Sequence, residues 1–538
     1  MRTSASPEPS VRSEYRWVIW ASLGIMLLAS VPYIWGYGIA PAGCKFIGFT
    51  RNADDACVYL SWMRQAADGH FFLRNLFTTE PQRGLGFNLL FFVLGSFARF
   101  THIPLDLVFH LFRIIFGAAL LTAAYGFSGI WLKEVRSRRI ALLVVGLSSG
   151  VGWLFPLGNG IHRSVDLWQP EAITFLSLYL APLFIFPMLL MIGALYFLHR
   201  FTETGVWRNA VYAGLILFVL ANVHTYDVIT LALTWACYSA YRLARRPANT
   251  RVITGGLVAA LIAAPSVGYQ LYFYSIEPIF KTRAAVPTIS PPIWYYLTGY
   301  GLLIPLALIG VRQSVRDRRY TWLLVFWVLA GFVAAYLPVA FQRKLIMGTH
   351  IPLSLLAAMG LIALIDCLRP RWRDVVLVIV LLLLVPSNLY FMQRDIRRVA
   401  ANESSTTAHV PFISDDELAA LDYIRTHTGD RDIILAPPGT AILVPGYAGR
   451  VTYCGHWGET VDFSRKLGEV YAFYSQGTDD WSRRTFLMRS RITYMIAYRP
   501  VSGVGIHLED FGAASMPYLR KAFEAGDVSV YQVVREAL

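Results

Sequence analysis

Apolar stretches close to the twenty residues that a helix needs to cross a bilayer recur along this chain, at about 17–37, 107–132, 140–157, 173–198, 209–223, 225–243, 252–274, 293–311, 320–338, 347–367 and 374–392. In lipid only helices and closed barrels satisfy their own backbone groups, so the pattern predicts an α-helical polytopic membrane protein with about eleven transmembrane helices. The composition agrees, since 56% of the 538 residues are apolar and only 15% charged, which excludes a string of soluble domains. A net charge of +14 would point to nucleic acid in a soluble chain. Here the basic residues sit in short clusters between apolar runs, where they set topology, and no nucleic-acid partner is expected. Five cysteines with no CxxC spacing give no zinc or iron–sulfur signature.

The first apolar run is too long for a signal-peptide core and lacks a lipoprotein cleavage pattern, so it reads as an uncleaved span behind a cytoplasmic tail, residues 1–16. The run at 86–100 is apolar but short, which fits a juxtamembrane helix. Leaving it uncounted puts Arg2, Arg12 and Arg16, then Lys133, Arg136, Arg138 and Arg139, then Arg200 and Arg208 on the cytoplasmic side. The same side receives Arg242, Arg245, Arg246 and Arg251, then Arg312, Arg316, Arg318 and Arg319, then Arg369, Arg371 and Arg373. The expected organisation is a transmembrane domain over 17–392, with a large first outer loop at 38–106, and an extracytoplasmic domain over 393–538, in a bacterial-type plasma membrane.

In that C-terminal segment Ser414 to Glu417 forms a capping box that opens a helix to about His427. Strand-like runs follow at 432–436, 451–454, 492–498 and 528–533, with helical stretches between them. The alternation predicts a small α/β domain.

The densest polar group of the first outer loop is Asn52, Asp54 and Asp55, followed by Tyr59, Arg64, Gln65, Asp68, Gly69 and His70. Asp54 and Asp55 have the residue type that caps a helix running from about 56 to 67. Adjacent carboxylates near a low dielectric also repel, which raises the proton affinity of one and suits a general base. Capping and catalysis are compatible.

The acid pair, the aromatic Tyr59 four residues on, and Met63, Arg64, Gln65, Asp68 and Gly69 directly after the first span resemble the GT-C superfamily of lipid-phosphate-sugar glycosyltransferases. The arrangement of a large first outer loop, many spans and an external C-terminal domain is similar too. Asp55 is followed by Ala56, Cys57 and Val58, unlike the aminoarabinose-transferase version, and the Trp-Trp-Asp type of signature of oligosaccharyltransferases is lacking. Aligned on Tyr59, Asp55 matches the family's catalytic Asp; aligned on Gly69, Asp54 does. The resemblance implies an inverting membrane glycosyltransferase, hexosyl or pentosyl, that takes its sugar from a polyprenyl-phosphate donor for an unidentified extracytoplasmic acceptor. No organic cofactor is implied, and a divalent metal is left open.

Such chemistry needs a base, cations for the leaving phosphate and an apolar groove for the polyprenyl chain. Arg343 and Lys344, at the outer end of an otherwise apolar stretch, are the candidate phosphate clamp, with Arg64 as a further cation. Arg74, Arg83, Lys281 and Arg283 are weaker cationic candidates. His224 and Asp227 occupy a short outer turn between spans, and the loop 159–171 offers His162, Arg163, Asp166, Trp168 and Glu171. His456 and Glu459 belong to a polar turn after a strand-like run. Cys44 and Cys57 share the outer loop and are a candidate disulfide. A transporter or flippase of polyprenyl-linked saccharides is the alternative, and would also use cations and a lipid groove.

Overall fold

A computed structural model describes residues 11–317, 321–404, 409–498 and 512–538, so Arg2, Arg318 and Arg319 of the basic clusters lie outside the described residues. The chain divides into two compact units. The first comprises Met1–Val31, His110–Leu271 and Pro287–Gln393; the second comprises Pro32–Phe109, Tyr272–Val286 and Arg394–Leu538.

Every expected apolar stretch contains helix, but the count of spans is lower than eleven by length and composition. Five segments among the described residues are long and apolar enough to cross a membrane: Val11–Gly38, Leu105–Ser128, Pro182–Thr204, Arg251–Ile276 and Gln342–Asp366. Two bent pairs raise the number to seven. Ile293–Tyr300 and Leu303–Arg316 meet at 78°, and Pro370–Leu383 and Pro386–Ala400 at 41°. Glycine and proline are the physical reason for the breaks: Gly301 adopts φ +46°, and Pro386 opens its helix. The stretch at 140–157 is helical only over Val135–Leu147. Trp207–Val223 and Trp322–Ala334 are apolar but shorter, as is Leu89–Thr101, the run read from the sequence as a juxtamembrane helix.

The stretch at 173–198 is broken in the same way, into Thr174–Leu180 and Pro182–Thr204. Pro182 has no N–H for the carbonyl of Leu178 four residues back. Arg113, buried in the helix Leu105–Ser128, supplies the missing donors at 2.9 Å to Leu178 and 3.1 Å to Tyr179. Its other nitrogen reaches the Ser30 hydroxyl at 2.7 Å. Elsewhere in the first unit Leu303–Arg316 and His350–Asp366 cross at Gly310 and Gly360. A Cβ on Gly360 would stand 1.8 Å from the Leu306 carbonyl, so only glycine permits that approach. Small residues of Asp227–Ala244 and Arg251–Ile276, among them Ala236, Gly256, Ala260 and Ala264, leave an apolar groove of about 830 Å³.

In the second unit the outer loop and the C-terminal segment fold together. Strand β1 (Cys44–Phe46) pairs antiparallel with β2 (Phe412–Ser414). A five-stranded sheet contains β3 (Ile433–Leu435), β4 (Val451–Thr452), β5 (Tyr494–Tyr498), β6 (Leu519–Ala525) and β7 (Val528–Val533), in the order β4-β3-β5-β7-β6. Its first three strands are parallel and the last two antiparallel to their neighbours, so the expected α/β character is present. The expected helix at 415–427 forms, and the Ser414 hydroxyl accepts from the Glu417 amide at 3.1 Å. The core packs Phe473, Tyr474, Phe486 and Leu487 against Leu435, Met495 and Tyr531 of the sheet.

Candidate functional site

The acid pair stands in the first turn of the helix Ala53–Ala67. The helix starts earlier than its composition indicates, and its N-cap is Asn52 in the left-handed conformation (φ 53°) rather than either Asp. Leu89–Thr101 packs on it where Gly95 meets the Met63 carbonyl. A Cβ there would approach to 2.2 Å, so this glycine fixes the helix pair. Tyr59 stacks on Phe91 (centroids 5.2 Å apart) and Phe109 (6.4 Å) and is buried, an anchor for the helix.

The two carboxylates have different surroundings. Asp54 is buried; one of its oxygens accepts from the Trp457 indole N–H at 3.0 Å and the other, Oδ1, has no hydrogen-bond partner among the described residues. Burial, and then the charge of Asp55, push the Asp54 carboxyl above the usual range, against the smaller pull of His456 and Trp457. Asp55 has a side chain 41% exposed; it accepts from the Asn52 amide at 2.6 Å and lies 3.4 Å from His456 Nε2. His456 is buried, which disfavours its charge, but the contact with Asp55, then Glu459 and Asp54, carries its affinity for the proton above the ordinary value. The indole of Trp457 is 49% exposed beside both acids.

Buried Glu459 continues the cluster. It meets Arg283 at 2.6 Å and accepts from the buried Asn75 amide at 3.2 Å, while Arg283 lies over the Trp62 ring at 5.4 Å. Asp54, Asp55, His456 and Glu459 are thus brought together, and Arg283, Asn75 and Trp457 join them. The Arg283–Glu459 pairing joins positions far apart in the chain, and no local pattern signals it. Arg64 is not brought to this cluster: it lies nine residues beyond Asp55, about 13 Å along the helix, and is committed to the Gly446 carbonyl (3.3 Å) and Asp68 (3.8 Å). Cys44 and Cys57 are free thiols, one in β1 and the other buried on the acid-pair helix, so the candidate disulfide is not formed.

In the first unit Arg343 and Lys344 occupy the 3-10 turn Gln342–Ile346. The turn is pinned from the Arg343 amide to the Thr288 carbonyl (3.1 Å) and from the Thr230 hydroxyl to the Leu345 carbonyl (2.8 Å). Arg343 lies over the Trp168 ring at 5.1 Å and 3.8 Å from Glu171, and its buried Nε makes no hydrogen bond among the described residues. Lys344 lies 4.8 Å over the Tyr226 ring. Tyr226 stands between His224 and Asp227, which meet each other at 3.0 Å and are both buried. Trp168 and Glu171 of the loop 159–171 therefore join Arg343. Asp166 instead accepts from the Gly152 amide (3.0 Å) and the Ser164 hydroxyl (2.6 Å). Among the described residues no group of three or more His, Cys, Asp or Glu side chains is placed to hold a metal ion.

No family model and no curated protein sequence matches the chain. Solved structures do. The oligosaccharyltransferase of Archaeoglobus fulgidus in its apo form superposes with a TM-score of 0.54 at 12% identity, over 89% of this chain and 69% of that one. The same enzyme, with an inhibitory peptide and a dolichol-phosphate, gives 0.53 at 12% identity with the same coverage. The arabinofuranosyltransferase AftD from mycobacteria gives 0.53 at 14% identity, over 96% of this chain but only 40% of its own length. At these identities the likeness is one of fold, shared with an oligosaccharyltransferase and an arabinofuranosyltransferase.

Proposed function

We propose that the chain is a glycosyltransferase that moves a sugar from a polyprenyl-phosphate carrier to an acceptor hydroxyl on the outer face of a bacterial-type plasma membrane, with inversion at the anomeric carbon. The observation that carries this reading is the pair of unlike carboxylates. Asp55 is accessible and aligned by the buried His456, whereas Asp54 is buried and favours its proton. Asp55 takes the proton of the acceptor hydroxyl as that oxygen attacks the anomeric carbon. The bond from that carbon to the phosphate oxygen breaks, and the lipid phosphate departs with the electron pair. The exposed face of Trp457 offers a stacking surface for a sugar ring.

Arg343 and Lys344 hold the phosphate. Their turn is fixed by backbone bonds, and Arg343 keeps a buried donor without a partner among the described residues, which an anion would satisfy. The groove of about 830 Å³ is nearly all apolar and suits a polyprenyl chain. One structure of similar fold was solved with a dolichol-phosphate, which supports a lipid-linked donor here. The eleven apolar stretches of the sequence, each taken as a crossing, would leave the N-terminus cytoplasmic and residues 393–538 outside. No step is routed through a metal.

The test supplies membranes bearing the chain with a panel of radiolabelled polyprenyl-phosphate sugars. One donor passes its label to an acceptor, and Asp55→Asn lowers transfer about 100- to 10,000-fold with the melting temperature unchanged. Full transfer by both Asp54→Asn and Asp55→Asn removes the base from the scheme. Labelled lipid crossing sealed vesicles with no new glycoside identifies a flippase instead.

A further inference from the structure

The second unit has a polar cleft of about 450 Å³ that the reaction above does not use. Arg74, Arg83 and Arg431 line it, and none of their guanidinium groups has a hydrogen-bond or ion-pair partner among the described residues. Its two carboxylates are already taken by other cations. Glu80 meets the buried Lys466 at 2.6 Å, and Asp430 meets Arg450 at 3.2 Å. Three positive charges therefore share one concave surface with no ion-pair partner of their own among the described residues, an arrangement that attracts oxyanions. Guanidinium is also the side chain whose fork matches a carboxylate or phosphate.

The framework of the cleft is fixed. Buried Glu277 accepts from the amides of Arg83 and Gly84, each at 3.0 Å, and Gln65 accepts from the Arg74 amide at 2.8 Å. Gln82 bonds Asn75 at 2.8 and 2.7 Å, so the loop closes on itself. The same loop is bound to the turn that carries His456. Asn75 donates to the Glu459 carbonyl at 2.9 Å, Thr460 donates to the Phe77 carbonyl at 2.7 Å, and the Val461 amide donates to Thr78 at 3.2 Å.

We infer that this cleft binds an anionic saccharide, one bearing carboxylate or phosphate groups, as part of the acceptor. Calling it the acceptor rests on the glycosyltransferase reading; the binding itself does not. The full chain in phosphatidylcholine nanodiscs is titrated calorimetrically with trigalacturonate, with a glycerol phosphate trimer and with neutral maltotriose. At least one charged ligand binds saturably and more tightly than maltotriose, and the tighter of the two names the oxyanion. Each Arg→Gln change weakens it about tenfold, and added salt weakens it steeply. R431Q leaves the loop 74–83 untouched and so reports on the cleft even if R74Q/R83Q fails to fold. Maltotriose binding as tightly as both charged ligands, or unchanged charged-ligand affinity in R431Q, overturns the inference. Asp55→Asn binds like the wild type. If that variant also transfers sugar normally, the base assignment fails while the cleft stands.

Discussion

The acid cluster of the second unit and the cation turn of the first both place charged side chains against aromatic rings, but they treat those charges differently. Around Asp54 and Asp55 the partners are side chains with their own ionisation: His456 beside Asp55, Glu459 near His456, Arg283 on Glu459. Protonation at one position is felt at the next. Arg343 and Lys344 lie over two aromatic faces, with the Glu171 carboxylate 3.8 Å from Arg343, on a turn held by backbone bonds. The first arrangement suits moving a proton. The second suits holding an anion whose protonation does not change.

That contrast is open to substitutions at three positions. Arg343→Gln should raise the donor KM about 10- to 100-fold, the worth of a charged hydrogen bond, with little change in pH profile. Arg343→Lys should recover part of it, since the charge remains without the fork. A pH optimum displaced in Arg343→Gln would erase the distinction between the clusters. Trp457→Phe removes the indole N–H that donates to the buried Asp54 carboxylate, and should destabilise the second unit by about 1–2 kcal/mol in denaturant unfolding. Glu171→Gln takes away the nearest negative charge from Arg343 and should lower the donor KM about 2- to 5-fold, the scale of a partly exposed ion pair. A donor KM that rises instead means Glu171 positions Arg343, and the turn is less rigid than its backbone bonds imply.

How much of this was legible follows from how local each feature is. Ser414 and Glu417 are three residues apart and bond as the capping box requires. The alternating run at 528–533 forms β7, and the acid pair falls on a helix with Tyr59 and Met63 on its buried side. Its partner strand β6, Leu519–Ala525, was not expected, because Arg, Lys, Ala and Glu favour helix. The hairpin through Gly526 at φ +47° overrides that preference. The β1–β2 ribbon and the Arg283–Glu459 pair join residues far apart in the chain, so no spacing rule reaches them. Hydropathy also does not show the breaks at Gly301, Pro182 and Pro386, which lie inside apolar runs that look continuous.

The finest test of the contrast is the pH dependence of stability in the acid cluster. His456 holds its proton above the ordinary 6.5: burial works against the charge, but Asp55, Glu459 and Asp54 together outweigh it. A histidine raised in the fold contributes stability that is complete below its unfolded value and is lost as pH climbs through the raised one. Asp54 runs the other way. Its carboxyl, raised by burial and by Asp55, costs stability once pH passes its unfolded value of 3.8, and the cost grows until the folded group ionises. The melting temperature of His456→Asn should therefore fall furthest below the wild type near about pH 6, and the gap should narrow towards about pH 9. Asp54→Asn should lose the part of the wild type's acid-side preference that sets in as pH rises above 3.8. The cation turn supplies the control: the gap between Arg343→Gln and the wild type should stay level across the range. A gap that follows pH in Arg343→Gln as it does in His456→Asn would mean that the two clusters are not electrostatically distinct.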